Sequence, residues 1–208
     1  MNIPIVFEDD WLLVVDKPAG LLSVPTPKNE SRTLTSILNR DAQEKKLDYH
    51  LYPCHRLDRE TSGLVIYAKS KGVEEKMVDA FRNRKINKKY IAFVHGKLAH
   101  PQGTINSAVE GKSALTKYKV IQEKSNYSVV EVVPATGRTN QIRIHFKSIQ
   151  HPLVGEDKFA FRKDFELRFK RVCLQAQELE FLHPITQKPI FLRRDLADDL
   201  KKFLEEHE

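Results

Sequence analysis

The chain contains few cysteines and no long apolar run, and each absence excludes a class of protein. Two cysteines, Cys54 and Cys173, among 208 residues cannot form the disulfide framework on which small secreted domains depend. No apolar run approaches the roughly 18 residues of a membrane span, and no basic segment leads into a long apolar one near the N-terminus, as it would in a secretory signal. We therefore expect a cytoplasmic protein that does not associate with membranes.

Familiar cofactor and nucleophile motifs are also missing. The sequence contains no Walker A loop and no G-x-G-x-x-G segment, so nucleotide phosphates lack their usual cradle. There is no G-x-S-x-G nucleophile elbow. The histidines and cysteines do not show the tight spacing of zinc ligands. We therefore expect neither a metal nor a cofactor.

The composition is that of a globular protein with a basic balance. Hydrophobic residues make up 40% and charged residues 30% of the chain, which is enough apolar material for a core. A chain of this length forms one sizeable domain or two small ones and can bury roughly 70% of its unfolded surface. We expect a single domain that spans residues 1–208. The net charge of +7 is compatible with a polyanionic partner such as nucleic acid, but many ordinary enzymes share it.

Hydrophobic periodicity and capping residues predict a mixture of strands and helices. Thr33 and Ser70 are suited to cap helices, because each precedes apolar residues at helical spacing. The predicted helices are Thr33–Arg40, Lys71–Arg84, a short helix that starts at Asn140, and Asp195–Glu206. The predicted strands are Trp11–Val15, Leu64–Ala68, Tyr90–Val94, Gly103–Val109, Ala114–Ile121, Tyr127–Val133, Cys173–Phe181 and Pro189–Leu192. Because strands outnumber helices and alternate irregularly with them, we predict an α+β fold with a largely antiparallel sheet, flanked by helices and loops around a central cleft.

One stretch joins a charged loop to a buried strand. Asp58 lies between Arg56 and Arg59 and is followed by Glu60, and the apolar strand predicted at Leu64–Ala68 comes directly after this loop. Such a connection holds a side chain rigidly, as catalysis requires. The same residues also fit a surface loop in which the Asp and Arg side chains pair with or cap their neighbours. We interpret the adjacent His55 as a hydrogen-bonded structural residue rather than a base.

Several segments of the sequence together resemble the RluA-type pseudouridine synthases, which isomerise uridine to pseudouridine in RNA. The segment His55–Leu64 resembles the signature loop of that family. The other matching segments are Lys17–Gly20, Lys89–Tyr90, Gly137–His145 and His151–Glu156. Together they cover the chain from about residue 5 to 195 in the family's order. The resemblance implies a pseudouridine synthase-like fold and an isomerase that works without a cofactor.

Two positions depart from the family's pattern. Asn140 stands where the family usually has His, and Glu156 stands where it usually has Asp. Neither is a catalytic position, and each can alter local hydrogen bonding or the fit to RNA. The sequence also starts at the segment that resembles the catalytic domain. We therefore expect no additional N-terminal RNA-binding domain, and target choice by the catalytic domain itself.

The resemblance implies a role for three catalytic residues. Asp58 is the catalytic carboxylate, and its chemistry requires the ionised form. Arg143 supplies the positive charge that opposes the rise in pKa caused by an enclosed pocket. Tyr90 stacks on the uracil and takes the C5 proton, although a strand-end aromatic packed in the core would fit the same position. The sequence leaves open whether Asp58 attacks C1′, attacks the base or abstracts a ribose proton.

The resemblance also implies contacts with a uridine flipped out of its stack. Arg56 occupies the vacated space or holds a phosphate, unless it forms a salt bridge to an acid such as Glu60. Leu64 and Ile66 form an apolar floor under the base, unless core packing alone explains them. Other cations contact the RNA backbone without reading the bases, namely Arg138 and the basic segment Arg82–Lys89, which includes Lys89.

We expect a monomer whose substrate is structured RNA, either ribosomal or transfer RNA. Loops such as Ala42–Tyr52 and Lys158–Arg171 would decide which uridine is modified. One alternative is an RNA-binding protein or chaperone of the same fold in which catalysis is secondary. A second alternative is a carboxylate-dependent glycoside hydrolase, which would need Glu60 as a second essential acid.

Overall fold

The chain forms ten strands and four helices within the residues that its computed structural model describes, namely 2–27, 30–160, 165 and 167–207. The strands are β1 (Ile5–Glu8), β2 (Leu12–Lys17), β3 (Tyr52–Pro53), β4 (Ser62–Ala68), β5 (Asn87–His95), β6 (Gln102–Asn106), β7 (Leu115–Glu123), β8 (Tyr127–Pro134), β9 (Leu174–Leu182) and β10 (Pro189–Arg193). The helices are α1 (Leu34–Glu44), α2 (Lys71–Arg82), α3 (Gln141–Ser148) and α4 (Asp198–Glu206). The α+β class is confirmed.

The elements belong to two compact units. The first comprises Met1–Asn87 and Glu178–Arg194, and the second comprises Lys88–Gln177 and Asp195–Glu208. Strand β9 therefore begins in the second unit and ends in the first. Each unit has its own hydrophobic core.

In the first unit the strand order is β1-β2-β4-β9, with β3 paired to β4 and β10 to β9. The pairings β1–β2, β2–β4, β3–β4 and β9–β10 are all antiparallel. Lys17 pairs with Gly63 at one end of the β2–β4 ladder. Because the two strands run in opposite directions, the segment that follows β2 and the segment that precedes β4 lie at the same end of this pair.

Two helices of the first unit begin at the predicted caps. The Thr33 hydroxyl accepts a hydrogen bond from the backbone N–H of Ser36, and the Ser36 hydroxyl accepts one in return from the N–H of Thr33, which completes a capping box. Ser70 caps α2 through the N–H of Val73. Helix α1 continues to Glu44, so the first residues of the predicted loop Ala42–Tyr52 are helical.

In the second unit the order β9-β5-β8-β7-β6 builds a sheet whose β5–β8, β7–β8 and β6–β7 pairings are antiparallel. Helix α3 buries Ile142 and Phe146 in one apolar cluster with residues of β5 and β8. Helix α4 buries Leu200 and Phe203 in another. The antiparallel character predicted for the sheet is confirmed in both units.

Some boundaries differ from the prediction for identifiable reasons. Helix α4 begins at Asp198 rather than Asp195, because the Gln175 side chain binds the carbonyl of Asp195 and the N–H of Ala197 and keeps the intervening backbone out of the helix. Strand β1 was not predicted, since its four residues are mostly exposed or half-buried and carry little periodic signal. Part of the predicted specificity loop Lys158–Arg171, residues 161–164 and 166, lies outside the described residues. None of the helices in the described part of the chain has the length and apolar character that crossing a bilayer requires.

Candidate active site

Asp58 lies in the first unit, four residues before Ser62, the first residue of the buried strand β4. Its side chain is half-buried, whereas the neighbouring Arg56 and Arg59 are exposed. The Thr61 N–H donates to the Asp58 carbonyl at 3.1 Å, which closes a turn between Asp58 and the strand. Every residue of β4 is buried. The expected connection between a charged loop and a core strand is therefore present.

A buried ammonium group fixes the backbone on the far side of Asp58. Lys17 is fully buried, and its Nζ donates to the carbonyls of Pro18, Leu21 and Arg59 at 3.0, 2.7 and 3.2 Å. A buried lysine is costly unless its donors are satisfied, and these carbonyls accept hydrogen bonds from its ammonium group. The N–H of Gly20 also donates to the Arg59 carbonyl at 2.8 Å. The end of β2 is thereby tied to the residue that follows Asp58.

Arg143 lies in the first turn of α3, in the second unit, and hydrogen bonds hold its side chain in place. Its Nε and Nη2 donate to the two carboxylate oxygens of Glu156 at 2.6 and 2.7 Å. Its Nη1 donates to Asn140 Oδ1 at 3.0 Å. The Arg143 and Glu156 side chains are only 6% and 1% exposed, so this is a buried bidentate ion pair with fixed geometry. The two positions that depart from the family's pattern, Asn140 and Glu156, therefore both contact Arg143.

The carboxylate of Glu156 is further stabilised by the backbone. Its Oε1 accepts hydrogen bonds from the N–H groups of Lys158 and Phe159 at 2.9 and 3.2 Å. Burial alone would raise the pKa of Glu156, but the hydrogen bonds and charge of Arg143 and the two N–H groups outweigh it, and the pKa lies below its ordinary value of 4.5. The Phe159 ring lies under the guanidinium, with Arg143 Cζ 5.2 Å from its centroid. Phe159 thus joins Glu156 and Asn140 around the guanidinium.

Asn140 adopts an unusual conformation for this arrangement. Its φ of 53° lies in the left-handed region, and its side chain makes no capping bond to α3, although it occupies the N-cap position. Asparagine tolerates this conformation better than most residues. Its side-chain oxygen is directed to Arg143 instead of the helix N-terminus, which links the loop before α3 to the guanidinium.

Three other predicted residues lie in the second unit. Tyr90 is half-buried in β5, opposite Val132 of β8, and packs against the same apolar cluster as Ile142 of α3. Lys89 forms a salt bridge with Glu131 at 3.1 Å. Arg138 is exposed, and its Nε donates to the Ser113 carbonyl at 3.2 Å.

The loop that carries Arg138 lies beside the start of β5. A Cβ atom placed on Gly137 would be 3.7 Å from Lys88 Nζ. Lys88 and Lys89 of the predicted basic segment are part of strand β5. Burial lowers the pKa of Lys88. The basic segment predicted at Arg82–Lys89 is therefore helical at its start and a strand at its end.

The remaining predicted residues of the first unit divide into exposed and buried ones. Arg56 is exposed and, among the residues that the structure describes, forms no ion pair with Glu60. Leu64 and Ile66 are fully buried in the core, and packing accounts for both, so their role beneath a base stays a prediction. The structural role expected for His55 is confirmed, since its Nε2 accepts the N–H of Ile66 at 3.1 Å and its ring packs against Phe81.

Comparison with known proteins identifies the class to which this fold and these motifs belong. Residues 11–148 match the family model for RNA pseudouridylate synthases. The chain is 36% identical to the dual-specificity RNA pseudouridine synthase RluA of Haemophilus influenzae, over 88% of this chain and 89% of that protein. It is 32% identical to the ribosomal large subunit pseudouridine synthase D of Xanthomonas campestris, over 96% of this chain and 68% of that protein.

A solved structure shows the same fold. The human RNA pseudouridylate synthase domain containing 4 superposes with a TM-score of 0.81 at 22% identity, over 97% of this chain and 92% of that one. This likeness confirms the predicted pseudouridine synthase-like fold. The chain belongs to the RNA pseudouridylate synthase family. It is therefore an isomerase that acts on RNA.

Proposed function

We propose that this enzyme converts specific uridines of structured ribosomal or transfer RNA to pseudouridine, with Asp58 as its catalytic carboxylate. The observation that carries the proposal is the fixed backbone on either side of Asp58, where Thr61 binds the Asp58 carbonyl and Lys17 and Gly20 bind that of Arg59. A catalytic group has to be held within a fraction of an ångström of its productive position. Asp58 also lies within residues 11–148, which match the family model.

The reaction needs no redox partner or group donor. The bond between ribose C1′ and uracil N1 breaks, the base rotates, and C1′ joins C5. The C5 proton is then lost and N1 is protonated, so atoms and electrons balance within the nucleotide. Asp58 acts as an ionised group, either on C1′, on the base or on a ribose proton. Tyr90, through its hydroxyl, takes the C5 proton as a general base, and its ring stacks on the uracil.

Arg143 serves as the permanent positive charge of the reaction. Its proposed task is to favour the ionised form of Asp58, as the family resemblance implies. The bidentate bonds to Glu156 and the bond to Asn140 support this role, because they fix the orientation of the guanidinium. Lysine has no planar fork and could not replace it at this position.

The proposed RNA contacts follow from exposure and charge. Arg56 is exposed and makes no ion pair with Glu60 within the described residues, so it is available to hold a phosphate or fill the space left by a flipped uridine. Arg138 is exposed beside β5 and contacts the backbone of the RNA, as does Lys89 when it exchanges Glu131 for a phosphate. Leu64 and Ile66 lie beneath the base. The enzyme works in the cytoplasm as a monomer.

We further propose that residues 1–208 work as one catalytic domain, since strand β9 begins in the second unit and ends in the first. The single tryptophan, Trp11, lies in the first unit and reports on that unit alone. One cooperative transition is expected, with the same midpoint by Trp11 fluorescence and by far-UV circular dichroism. Two separate midpoints would contradict a single domain.

Pseudouridine mapping tests the function and finds the target. Total RNA from cells with and without this gene is compared, and the deleted strain is complemented with the wild type, Asp58→Asn or Glu60→Gln. We expect one or a few sites that disappear on deletion and return with the wild type and Glu60→Gln but not with Asp58→Asn. Restoration of the cellular phenotype by Asp58→Asn would favour the RNA chaperone instead. Loss of activity in Glu60→Gln would favour a mechanism with two carboxylates.

A further inference from the structure

A buried serine holds the residue that precedes Asp58. Ser23 is 2% exposed, and its Oγ donates to the carbonyl of Leu57 at 2.8 Å while it accepts the N–H of Leu57 at 3.0 Å. The two residues are 34 positions apart, so this is not the local capping bond that most serines make. Leu57 lies between β3 and β4, where no strand ladder satisfies its backbone. The Ser23 hydroxyl is therefore the partner of both the N–H and the carbonyl of Leu57.

Thr35 holds Ser23 itself, and Tyr67 contacts Thr35. The N–H and Oγ1 of Thr35, in the first turn of α1, both donate to the Ser23 carbonyl, at 3.1 and 2.9 Å. Thr35 Oγ1 lies 3.1 Å from the hydroxyl of Tyr67. Since the Thr35 proton is used on Ser23, the Tyr67 hydroxyl is the donor in this contact. Tyr67 is fully buried in β4.

The result is a chain of hydrogen bonds from the core strand to the catalytic loop. It runs from Tyr67 through Thr35 and Ser23 to Leu57, and every group in it is neutral. Satisfied polar networks in an apolar interior are rigid, because each bond is strong there and breaking one leaves a buried group without a partner. The chain fixes Leu57 from one side, as Lys17 and Gly20 fix Arg59 from the other. Together they fix the backbone on both sides of Asp58.

We infer that Ser23 is a positioning residue for catalysis, which sets the direction of the Asp58 carboxylate through the backbone of Leu57, with Thr35 and Tyr67 as its support. The inference rests on the proposed function of Asp58. A displacement of about 1 Å in a catalytic group can reduce the rate by roughly 100-fold. The effect of Ser23 should therefore appear in the rate of the chemical step rather than in the affinity for RNA.

The test compares Ser23→Ala with a serine of similar burial elsewhere. Ser128 is fully buried in the second unit, and its hydroxyl donates to the Gly96 carbonyl at 2.8 Å, so Ser128→Ala also removes a buried hydroxyl bond. Single-turnover rates and RNA dissociation constants are measured below the unfolding transition of each variant. We expect Ser23→Ala to lower the rate ~10- to ~100-fold with RNA affinity unchanged, and Ser128→Ala to keep the wild-type rate.

Variants at Thr35 and Tyr67, further from Leu57 along the chain of hydrogen bonds, should have smaller effects on the rate. Thr35→Val keeps the backbone bond to Ser23 and loses the hydroxyl, so a loss of ~3- to ~10-fold in rate is expected, and it provides the test if Ser23→Ala does not fold. Tyr67→Phe should have a smaller effect, with Tyr127→Phe as its control, because Tyr127 is also buried and donates to a backbone carbonyl.

Two outcomes would overturn the inference. One is a wild-type rate in Ser23→Ala, or in Thr35→Val where that variant replaces it. The other is an equal loss of rate in Ser128→Ala. Asp58→Asn is measured in parallel to separate this inference from the proposed function. If Asp58→Asn is inactive and Ser23→Ala is not impaired, only the positioning role fails, whereas an active Asp58→Asn removes the proposed function itself.

Discussion

The structure holds Asp58 and Arg143 in different ways. Hydrogen bonds at Leu57, Asp58 and Arg59 fix the backbone around Asp58. Around Arg143 they act on the side chain, through Glu156 and Asn140. The difference follows from the chemistry of the two groups. The Asp58 carboxylate has to reach the substrate from a fixed backbone, whereas a guanidinium has five donors and can use some of them on its own support.

The comparison predicts that a substitution beside Arg143 lowers stability more than a substitution beside Asp58 does. Glu156→Gln leaves a buried guanidinium without its counter-charge, and we expect a loss of about 3 kcal/mol in the free energy of unfolding together with a large loss of activity. Asp199→Asn is the matched control, because Asp199 forms a bidentate pair with the buried Arg171 in the same unit. It should lower stability and leave the rate unchanged. Denaturant unfolding and single-turnover rates measure both, and equal rates in the two variants would contradict the assignment.

The same pair predicts a pH dependence of stability. The pKa of Glu156 is lowered in the folded chain, so the stabilisation from this carboxylate is complete above its ordinary pKa of 4.5 and is lost as the pH falls through the lower folded value. The free energy of unfolding of the wild type should therefore fall on acidification more steeply than that of Glu156→Gln. If the difference in free energy of unfolding between the wild type and Glu156→Gln stays constant through this pH range, the charge of Glu156 does not contribute to stability.

Lys17 tests the backbone support of Asp58. Lys17→Met keeps the volume of the side chain and removes three hydrogen bonds from a charged donor, with an expected loss of about 2 kcal/mol in the free energy of unfolding and a reduced kcat. Lys69→Met is the control, because Lys69 forms a 2.8 Å salt bridge with Glu8 in the same unit. It should cost less stability and no activity. An unchanged kcat in Lys17→Met would show that Asp58 is positioned without the ammonium.

The helix caps give the smallest expected effects. Thr33→Ala removes one half of a capping box and should cost about 1 kcal/mol in the free energy of unfolding. Ser70→Ala should cost less, because its hydroxyl lies 3.4 Å from the Val73 nitrogen. Thermal unfolding of both variants measures the difference, and the reverse order would show that the longer bond is the stronger one in solution.

Local signals in the sequence predicted the parts of the fold that depend on neighbouring residues. The caps at Thr33 and Ser70 and the buried strand before Lys69 follow from patterns a few residues long, and all are present. The supports of the candidate site could not be predicted in this way. Ser23 and Leu57 are 34 positions apart and Lys17 and Arg59 are 42 apart, and only folding decides that these groups meet.

The sequence contained a weak indication of which residues contact Arg143. Asn140 and Glu156 were recognised as the two departures from the family's pattern, and both contact the guanidinium of Arg143. Because Asn140 and Glu156 both depart from the pattern on either side of Arg143, the sequence could have suggested that they contact it. Helix periodicity could not show that an ion pair would bury Arg143.

The most direct test of the account is a single-turnover experiment with Asp58→Asn bound to its target RNA. Asparagine has nearly the same shape as aspartate and keeps the backbone bonds of Leu57 and Arg59, so the variant should fold and bind RNA as the wild type does. We predict no detectable pseudouridine with an unchanged dissociation constant. Pseudouridine formed at the wild-type rate would contradict the central claim that the carboxylate of Asp58 carries the reaction.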